Sequence, residues 1–366
     1  MHTYKKVAYL VVSTFQDTGS VVEYFISRTK EFYLYIFPPS YKNKPTIIKY
    51  YKNGKLSASE EIWFYKGNNK IIIHVLYFVY YIYFILKFRI THTYILFYFP
   101  IFLFLNSIIS LFTANKYVFW IWDYFPTNSK VIKLYNRIVE HYNNNLRFVL
   151  YLSPLLFKLY NHKQFKSKKN RIRNIISFGI KDRDIINKKQ NNVIGYIGNL
   201  RTGQGLESLL KIVKNNSELT LHIIGEGPLR KQIVNDINLN RLSHRVMLHG
   251  FLSNDELITI ASKWDVAVAL YDHGKDNPTF YTDPGKIKLY LELGLPVIMT
   301  RVSYIYKQLL FYNAGEVYDA HKETFTEVLK KIQNNYPSYI KGVNKFKSTI
   351  LFDSYYNKKF TKVFYE

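Results

Sequence analysis

Residues 192–225 read NVIGYIGNLRTGQGLESLLKIVKNNSELTLHIIG, and this stretch decides the fold. The apolar residues 192–198 predict a buried strand, the glycine-containing segment 198–205 a loop, and residues 206–216 a helix. A second apolar strand follows at 219–225. A strand, a helix and a strand in this order predict two parallel strands of a doubly wound α/β sheet.

The same alternation continues on both sides of this stretch. Downstream it predicts a Rossmann-like α/β domain over residues 193–335. Upstream, between residues 7 and 153, it predicts a first such domain over 1–180, with a polar region before residue 71. The polar segment 181–192 lacks apolar periodicity and indicates a linker, and residues 336–366 indicate helices without further strands.

The net charge of +25 is concentrated in the first half of the 366-residue chain. Residues 1–190 contain 29 Lys and Arg against 9 Asp and Glu, whereas residues 191–320 contain 13 of each kind. Such asymmetry indicates a polyanion next to one domain: anionic lipid, an acidic acceptor or nucleic acid. The absence of cysteine excludes disulfides, thiolate metal sites and a cysteine nucleophile.

The apolar stretch IIIHVLYFVYYIYFIL, residues 71–86, is the strongest candidate for a membrane segment. It is shorter than the roughly 20 apolar residues that a spanning helix needs, and it contains His74. We predict either a buried helix or a helix lying against a bilayer with Tyr, Lys and Arg at its rim. A spanning helix stays as the third alternative. The N-terminus is interpreted as a strand and not as a signal peptide.

Loops at the carboxyl ends of the second domain's strands carry the chemistry, because ligands of open α/β sheets bind there. The loop 198–205 resembles an anion cradle, with Arg201 as a charged arm at the start of a helix. The segment 224–228 adds two glycines that allow close approach of the backbone. A further helix begins beside Gly285 and Lys286 and makes a second anion site facing the same predicted cleft.

Two aspartates follow strands of the first half. Asp123 comes directly after the apolar strand 117–122, where an unpaired acid is costly to bury. It is interpreted either as a base or hydroxyl anchor for a sugar, or as a turn residue before Pro126. Asp17 lies in the loop STFQDTGS, residues 13–20, whose Gly19 serves either a structural turn or a ligand contact.

No metal site is predicted from the sequence. The ten histidines are scattered and no HExxH pattern occurs. We interpret His222 and His249 as structural residues. No GxSxG nucleophile elbow is present.

Five segments between about residues 190 and 320 resemble, in order and spacing, the donor domain of retaining GT-B-fold glycosyltransferases (glycosyl transferases group 1, family 4-like). They are YIGNL…GQGLESLL, LHIIGEGPLRKQI, VMLHGFLSNDELITIASKWDVAVALY, PGKIKLYLELGLPVI and NAGEVYD. The resemblance implies an α/β protein with two Rossmann-like domains facing a cleft. The acceptor would bind the N-terminal domain and the nucleotide-sugar the C-terminal one, with the last helices crossing back.

The activity implied by this resemblance is transfer of a sugar from a nucleotide-sugar to a lipid-linked or polysaccharide acceptor, without metal or cofactor. The enzyme would be cytoplasmic and peripheral at the inner face of the membrane, on an anionic lipid surface and without nucleic acid. Asp123, Asp17 and Glu292 would be catalytic. The donor would be bound by residues of the three loops, namely Gly198, Asn199, Arg201, Gln204, Gly225, Glu226, Gly227, Asp283, Gly285 and Lys286.

Two positions of the donor loop depart from the family pattern. Asn199 and Gln204 stand where the family often carries Arg and Lys. Arg201 and Lys286 are the nearby cations that would take over their role.

The family's paired glutamates would fall at Tyr281 and Leu289, and neither is acidic. Glu292, one helical turn after Leu289, is the candidate replacement. A catalytically degenerate member is therefore an open alternative. Others are a nucleotide-sugar epimerase or hydrolase of the same fold, and a basic nucleic-acid-binding or membrane-binding protein.

Overall fold

The computed structural model describes residues 4–12, 20–37, 45–63, 69–87, 94–97, 115–121, 148–151, 153–160, 191–272 and 278–350, with short pieces between 106 and 138. These residues fall into two compact units, one within residues 1–174 and one within residues 175–355. Each unit contains one β-sheet with helices connecting its strands. The predicted α/β class is thereby confirmed.

The sheet of the first unit has seven strands among the described residues. They are β1 (Tyr4–Val12), β2 (Thr29–Phe37), β3 (Thr46–Lys52), β4 (Lys55–Ile62), β5 (Tyr94–Phe97), β6 (Lys116–Ile121) and β7 (Phe148–Tyr151), in the spatial order β4-β3-β2-β1-β5-β6-β7. Helix α1 (Ser20–Arg28) follows β1, α2 (Lys70–Lys87) follows β4, and α3 (Pro154–Tyr160) follows β7.

Strands β3 and β4 form an antiparallel hairpin at one edge of this sheet, and β3 also pairs antiparallel with β2. The sequence prediction missed both strands and assigned their residues to a polar region. The turn between them is Asn53-Gly54, with positive φ of 48° and 80° at the two residues. Positive φ at both positions is characteristic of a type I′ turn, which the Asn-Gly pair favours strongly.

Helix α2 contains the apolar stretch 71–86 that was the membrane candidate. Its later turns bury Tyr80, Tyr81, Phe84 and Ile85. The ring of Phe84 stacks on that of Tyr35 in β2, at a centroid distance of 4.6 Å. In the described part of the chain, no helix is both long and apolar enough to cross a membrane.

The sheet of the second unit is entirely parallel. Its strands are β8 (Val193–Ile197), β9 (Thr220–Ile224), β10 (Val246–Gly250), β11 (Val266–Ala269), β12 (Val297–Met299) and β13 (Gly315–Val317), ordered β10-β9-β8-β11-β12-β13. Taken in chain order this is 3-2-1-4-5-6, the Rossmann arrangement. The direction of winding reverses between β8 and β11, which places the topological switch point there.

Seven helices accompany this sheet within residues 191–272 and 278–350. They are α4 (Leu206–Asn215), α5 (Arg230–Leu239), α6 (Asn254–Ala261), α7 (Gly285–Glu292), α8 (Tyr306–Tyr312), α9 (Phe325–Asn334) and α10 (Tyr336–Ile350). The buried faces of α4, α5 and α9 pack on β8, β9 and β11 in one hydrophobic cluster. Close packing also explains why residue 195 is glycine, because a Cβ there would lie 1.8 Å from the Trp264 ring.

Helix α10 belongs to the second unit. The rings of Tyr312 in α8 and Phe346 in α10 stack at 4.8 Å. A Cβ at Gly342 would lie 2.0 Å from the carbonyl oxygen of Asn313, so the two helices touch closely. The boundary predicted at residue 335 therefore lies inside this unit, since residues 336–350 pack on α8. Residues 351–366 and the predicted linker segment 181–190 lie outside the described residues, and the return of the last helices to the first domain stays a prediction.

Two histidines on neighbouring strands share a hydrogen bond in the second unit. His222 Nδ1 of β9 lies 2.9 Å from His249 Nε2 of β10, and the rings stack at 5.1 Å. Burial, His249 and Lys263 lower the pKa of His222 to about 4. Burial and Lys263 also lower the pKa of His249. The pair is therefore uncharged at neutral pH, which agrees with a structural role.

Acidification is expected to destabilise the second unit through this pair. The unfolded chain protonates His222 near its ordinary pKa of about 6.5, whereas the folded chain resists protonation until about pH 4. The unfolding free energy should therefore fall between these pH values, by about 3 kcal/mol at most. Denaturant unfolding measured at a series of pH values checks this. His222→Gln should flatten the dependence, and an unchanged slope in that variant would refute the assignment.

Candidate functional site

The starts of two helices at the switch point are left without hydrogen-bond acceptors. Helices α6 and α9, which follow the edge strands β10 and β13, carry capping boxes at Ser253 and Thr324. Helices α4 and α7, which follow β8 and β11, have no side-chain cap. In the described residues no acceptor is found for the N–H groups of residues 206–208 and 285–287. Such helix starts favour anions.

The loops after β8 and β9 are joined by backbone hydrogen bonds. The Gly198 amide donates to the Ile224 carbonyl and the Leu200 amide donates to the Glu226 carbonyl, each at 3.0 Å. A Cβ at Gly225, where φ is +133°, would lie 2.0 Å from the Gly198 carbonyl oxygen. Only glycine fits where these two loops cross. The loops after β8 and β9 therefore form one rigid surface, the floor of the site, at the carboxyl ends of the strands.

Three further predicted residues line the same floor. A Cβ at Gly227 would lie 2.5 Å from the Asn199 side-chain oxygen, which places Asn199 directly beside the second glycine loop. Glu226 forms an ion pair with Arg230 at 2.9 Å. The carboxylate of Glu226 is therefore partly neutralised by its own loop–helix segment.

Lys286 reaches from the first turn of α7 to the loop after β8. Its Nζ donates hydrogen bonds to Gln204 Oε1 at 2.8 Å and to the Tyr196 hydroxyl at 3.1 Å. The ammonium lies 4.2 Å from the Tyr196 ring centroid and 5.0 Å from that of Tyr271. A Cβ at Gly198 would be 3.0 Å from Nζ, so the glycine leaves the room that this lysine occupies.

No acidic side chain among the described residues is found to pair with Lys286. Its hydrogen-bond acceptors in the described residues are the neutral side chains Gln204 and Tyr196. Burial, followed by the positive charge of Arg201, lowers the pKa of Lys286 to about 7. Two cations that repel each other at the start of an uncapped helix form a site that a bound anion stabilises.

A buried hydroxyl points to the same site. The Tyr271 hydroxyl, just beyond β11, has no hydrogen-bond partner among the described residues. Arg201 and Asp283 both act electrostatically on it. An unsatisfied buried hydroxyl is costly, and a ligand oxygen admitted to this edge would satisfy it.

Asp283 lies below the site in a buried ion pair. Its Oδ2 is 3.3 Å from Lys288 Nζ, and the two side chains are 3% and 2% exposed. An ion pair buried this deeply ties the segment before α7 to the helix itself, because separating the charges would leave one of them unpaired. The geometry favours a role of Asp283 in positioning α7 over direct contact with a ligand.

Tyr290 fastens α7 to both strands of the switch point. Its hydroxyl accepts from the Ile197 amide at 2.9 Å and donates to the Val268 carbonyl at 3.1 Å. Because Tyr290 lies one turn after Lys286 on the same helix face, this anchor fixes how far Lys286 reaches.

The structure brings together most of the donor-binding residues that the sequence predicts. Gly198, Gln204 and Lys286 are in contact, and the loops that carry Asn199, Gly225, Glu226 and Gly227 adjoin them. Glu292 is the last residue of α7, about 10 Å along the helix from Gly285 at 1.5 Å per residue. Its carbonyl accepts from Lys347. The structure does not join Glu292 to this site, and Asp17 and Asp123 lie outside the described residues.

Sequence reasoning missed four residues of the site. Tyr196 and Tyr271 lie at strand ends in a chain that contains 34 tyrosines. With tyrosine this common, nothing in the sequence distinguished these two as site residues. Lys288 and Tyr290 lie on a helix whose apolar pattern gave no sign of them, although Tyr290 follows Lys286 at the i+4 spacing. Within the described residues, no group of three or more His, Asp and Glu side chains that could hold a metal ion is found.

Comparison with known proteins identifies the fold. The lipopolysaccharide outer core galactosyltransferase WaaB is 13% identical, with a TM-score of 0.60 and coverage of 98% of this chain and 99% of that one. Sucrose-phosphate synthase from Thermosynechococcus elongatus is 12% identical, with a TM-score of 0.66 and coverage of 97% and 96%. A point mutant of S. aureus TarM, in complex with fondaparinux, alpha-GlcNAc-glycerol and UDP, is 14% identical, with a TM-score of 0.56 and coverage of 89% and 75%.

These similarities and the two Rossmann-like sheets define the class: a GT-B-fold protein, as the sequence predicts. Residues 179–345 match the family Glycosyl transferases group 1. This match lies in the second half of the chain, and together with the GT-B structures it identifies the protein as a glycosyltransferase. A search of curated protein sequences finds no match.

Replacing Tyr290 by phenylalanine tests the anchor of α7. The Tyr290→Phe variant leaves the Ile197 amide and the Val268 carbonyl without this partner, and the unfolding free energy should fall by about 1–3 kcal/mol. Denaturant unfolding measures it. Tyr304→Phe is the matched control, because that hydroxyl makes no hydrogen bond to the described residues. Equal stability of the two variants would contradict the anchor.

Proposed function

We propose that this glycosyltransferase uses a nucleotide-sugar whose diphosphate is held by Arg201, Lys286 and the first N–H groups of α7. No metal is required in this proposal, because two cations and a helix start supply the positive charge that the leaving group needs. Retention of the anomeric configuration is proposed on the family resemblance alone. UDP is the first nucleotide to test, since the TarM structure contains it.

One observation carries the proposal, namely the buried ammonium of Lys286 beside Arg201, whose hydrogen-bond acceptors among the residues that the structure describes are both neutral. Placing a charge there costs desolvation energy that the described protein residues do not repay. A diphosphate would repay it and would raise the pKa of Lys286 again. The uncapped starts of α4 and α7 support the same ligand class.

Transfer breaks the bond between the anomeric carbon and a diphosphate oxygen, and the bonding electrons leave with the diphosphate. Negative charge therefore grows on the leaving group in the transition state, and fixed cations lower the barrier by meeting that charge. The acceptor hydroxyl forms the new bond to the anomeric carbon, and in this proposal its proton passes to a carboxylate on the acceptor side. Asp17 and Asp123 are the proposed residues on the acceptor side.

We propose a lipid-linked or polysaccharide acceptor and a peripheral position at the inner face of a membrane. The excess of Lys and Arg in residues 1–190 supports this, because it attracts anionic lipid or an acidic glycan. WaaB, which is named a lipopolysaccharide outer core galactosyltransferase, is one protein of this fold.

Incubation of the purified protein with a panel of UDP- and GDP-sugars, with and without acceptor extracts, tests the proposal. Transfer of the sugar to a lipid or glycan supports it. Release of free sugar with water as the only acceptor would indicate a hydrolase, and a changed sugar still on its nucleotide would indicate an epimerase. No turnover together with no thermal protection by any nucleotide would defeat the proposal.

Removal of the Lys286 charge should weaken donor binding. The Lys286→Met variant is expected to bind UDP-glucose or the preferred nucleotide-sugar about ten- to a hundredfold more weakly, because a charge-assisted contact is lost. Isothermal titration calorimetry measures the affinity. The matched control is Lys307→Met, because Lys307 also lies over a tyrosine ring, 5.3 Å from the Tyr304 centroid, but outside the site. Equal affinities would remove Lys286 from the donor site.

Donor affinity is also expected to depend on pH. Lys286 has its pKa lowered to about 7 in the free protein, and an anion bound beside it favours the protonated form. Binding therefore takes up a proton above pH 7, and affinity should fall as pH rises from 7 to 9. A nucleotide-sugar is the probe, because UDP itself has a terminal phosphate that titrates near neutrality. A flat profile for the wild type, or the same slope in Lys286→Met, would contradict the role of Lys286.

A further inference from the structure

The outer face of α2 carries a row of exposed aliphatic side chains. Its exposed apolar side chains recur at alternating intervals of three and four residues, which places them on one helix face: Ile72, Val75, Val79, Ile82 and Leu86. Val75 is 58% exposed and Leu86 70% exposed. Between residues 71 and 86 the helix has no charged side chain. The described side chains of this face are therefore apolar from residue 72 to residue 86.

The described residues that follow α2 carry further exposed apolar side chains. The hydroxyl of Tyr81 in α2 donates a hydrogen bond to the Asn106 side chain, and both residues are buried, so Asn106 lies against the inner side of the helix. Further along the chain, Leu111 and Phe112 are 77% and 83% exposed. Of the 17 large hydrophobic residues exposed in the described parts of the chain, 12 belong to the first unit. Exposed apolar side chains concentrated in this way mark an interaction surface.

The charge of the same part of the chain identifies the partner. Residues 62–180 contain 16 Lys and Arg against two acidic residues, Asp123 and Glu140. Lys130, Lys133 and Arg137 are among the exposed basic residues of this stretch. A second copy of the chain would bring a second strongly positive domain to the interface, and the charges would repel. An anionic bilayer offers hydrocarbon for the aliphatic side chains and negative headgroups for the lysines and arginines.

From this we infer that the outer face of α2 is the surface by which the first unit docks on an anionic lipid bilayer. The inference rests on the peripheral position in the proposed function and gives that position a defined contact surface. Aliphatic side chains enter the boundary between headgroups and acyl chains, while the inner face of the helix stays packed on the sheet through Phe84 and Tyr35. The helix lies on the bilayer and does not cross it.

Co-sedimentation with lipid vesicles tests the inference. The full chain is mixed with vesicles of phosphatidylcholine alone, or of phosphatidylcholine and phosphatidylglycerol in equal parts. The expected result is binding to the anionic vesicles only, weakened at least tenfold in Val75→Asp/Val79→Asp. The matched control is Val234→Asp/Leu239→Asp, which places the same substitutions at two exposed aliphatic positions of α5 in the second unit and should bind like wild type.

Three results would overturn the inference. They are no binding of the wild type to anionic vesicles, equal loss in the α2 and α5 variants, and a dimer in lipid-free ultracentrifugation that only the α2 substitutions dissociate. The last result would assign the surface to a second copy of the chain. Circular dichroism and thermal protection by UDP show that each variant is folded. Vesicle binding does not depend on turnover, so loss of it and failure to transfer sugar from a soluble donor report separately on the docking surface and on the proposed reaction.

Discussion

The second unit depends on one constraint, a lysine whose ammonium is enclosed at the switch point with no carboxylate partner in the described part of the chain. The residues that contact Lys286 hold its ammonium at this position. Gly198 makes the room, Gln204 and Tyr196 supply neutral acceptors, and Tyr290 holds the helix at a fixed distance from the strands. Proteins rarely leave a buried charge in this state unless a ligand completes it.

The helices of the second unit differ in whether side chains cap their first N–H groups. At the edges of the sheet, α6 and α9 satisfy their own first N–H groups with Ser-Glu and Thr-Glu boxes. The helices α4, α5, α7 and α8 have no such box, and of these α4 and α7 begin after glycine and proline at the switch point. A cap is worth about 1 kcal/mol, so the two helices at the switch point forgo stability at the place where an anion would return it.

The sequence predicted the second sheet and the residues of its ligand edge because parallel strands, glycine loops and helix starts leave clear local signals. Gly198, Gln204 and Lys286 do come together. What it missed depends on contacts between distant residues: the Asp283–Lys288 pair forms only in the folded helix, and the tyrosines are hidden by composition. The hairpin at Asn53-Gly54 was a different failure, because its turn signal was present and the exposed, charged strands around it resembled a loop. The acids at 17 and 123 are still predictions.

The hairpin also places a particular kind of strand at the rim of the first sheet. Strand β4 is exposed along most of its length and carries Lys55, Glu60 and Glu61. A bare strand edge invites another chain to add on by hydrogen bonding, and charges of both signs on the rim discourage that addition. The mixed charges of β4 therefore oppose edge-to-edge pairing between two copies of the chain.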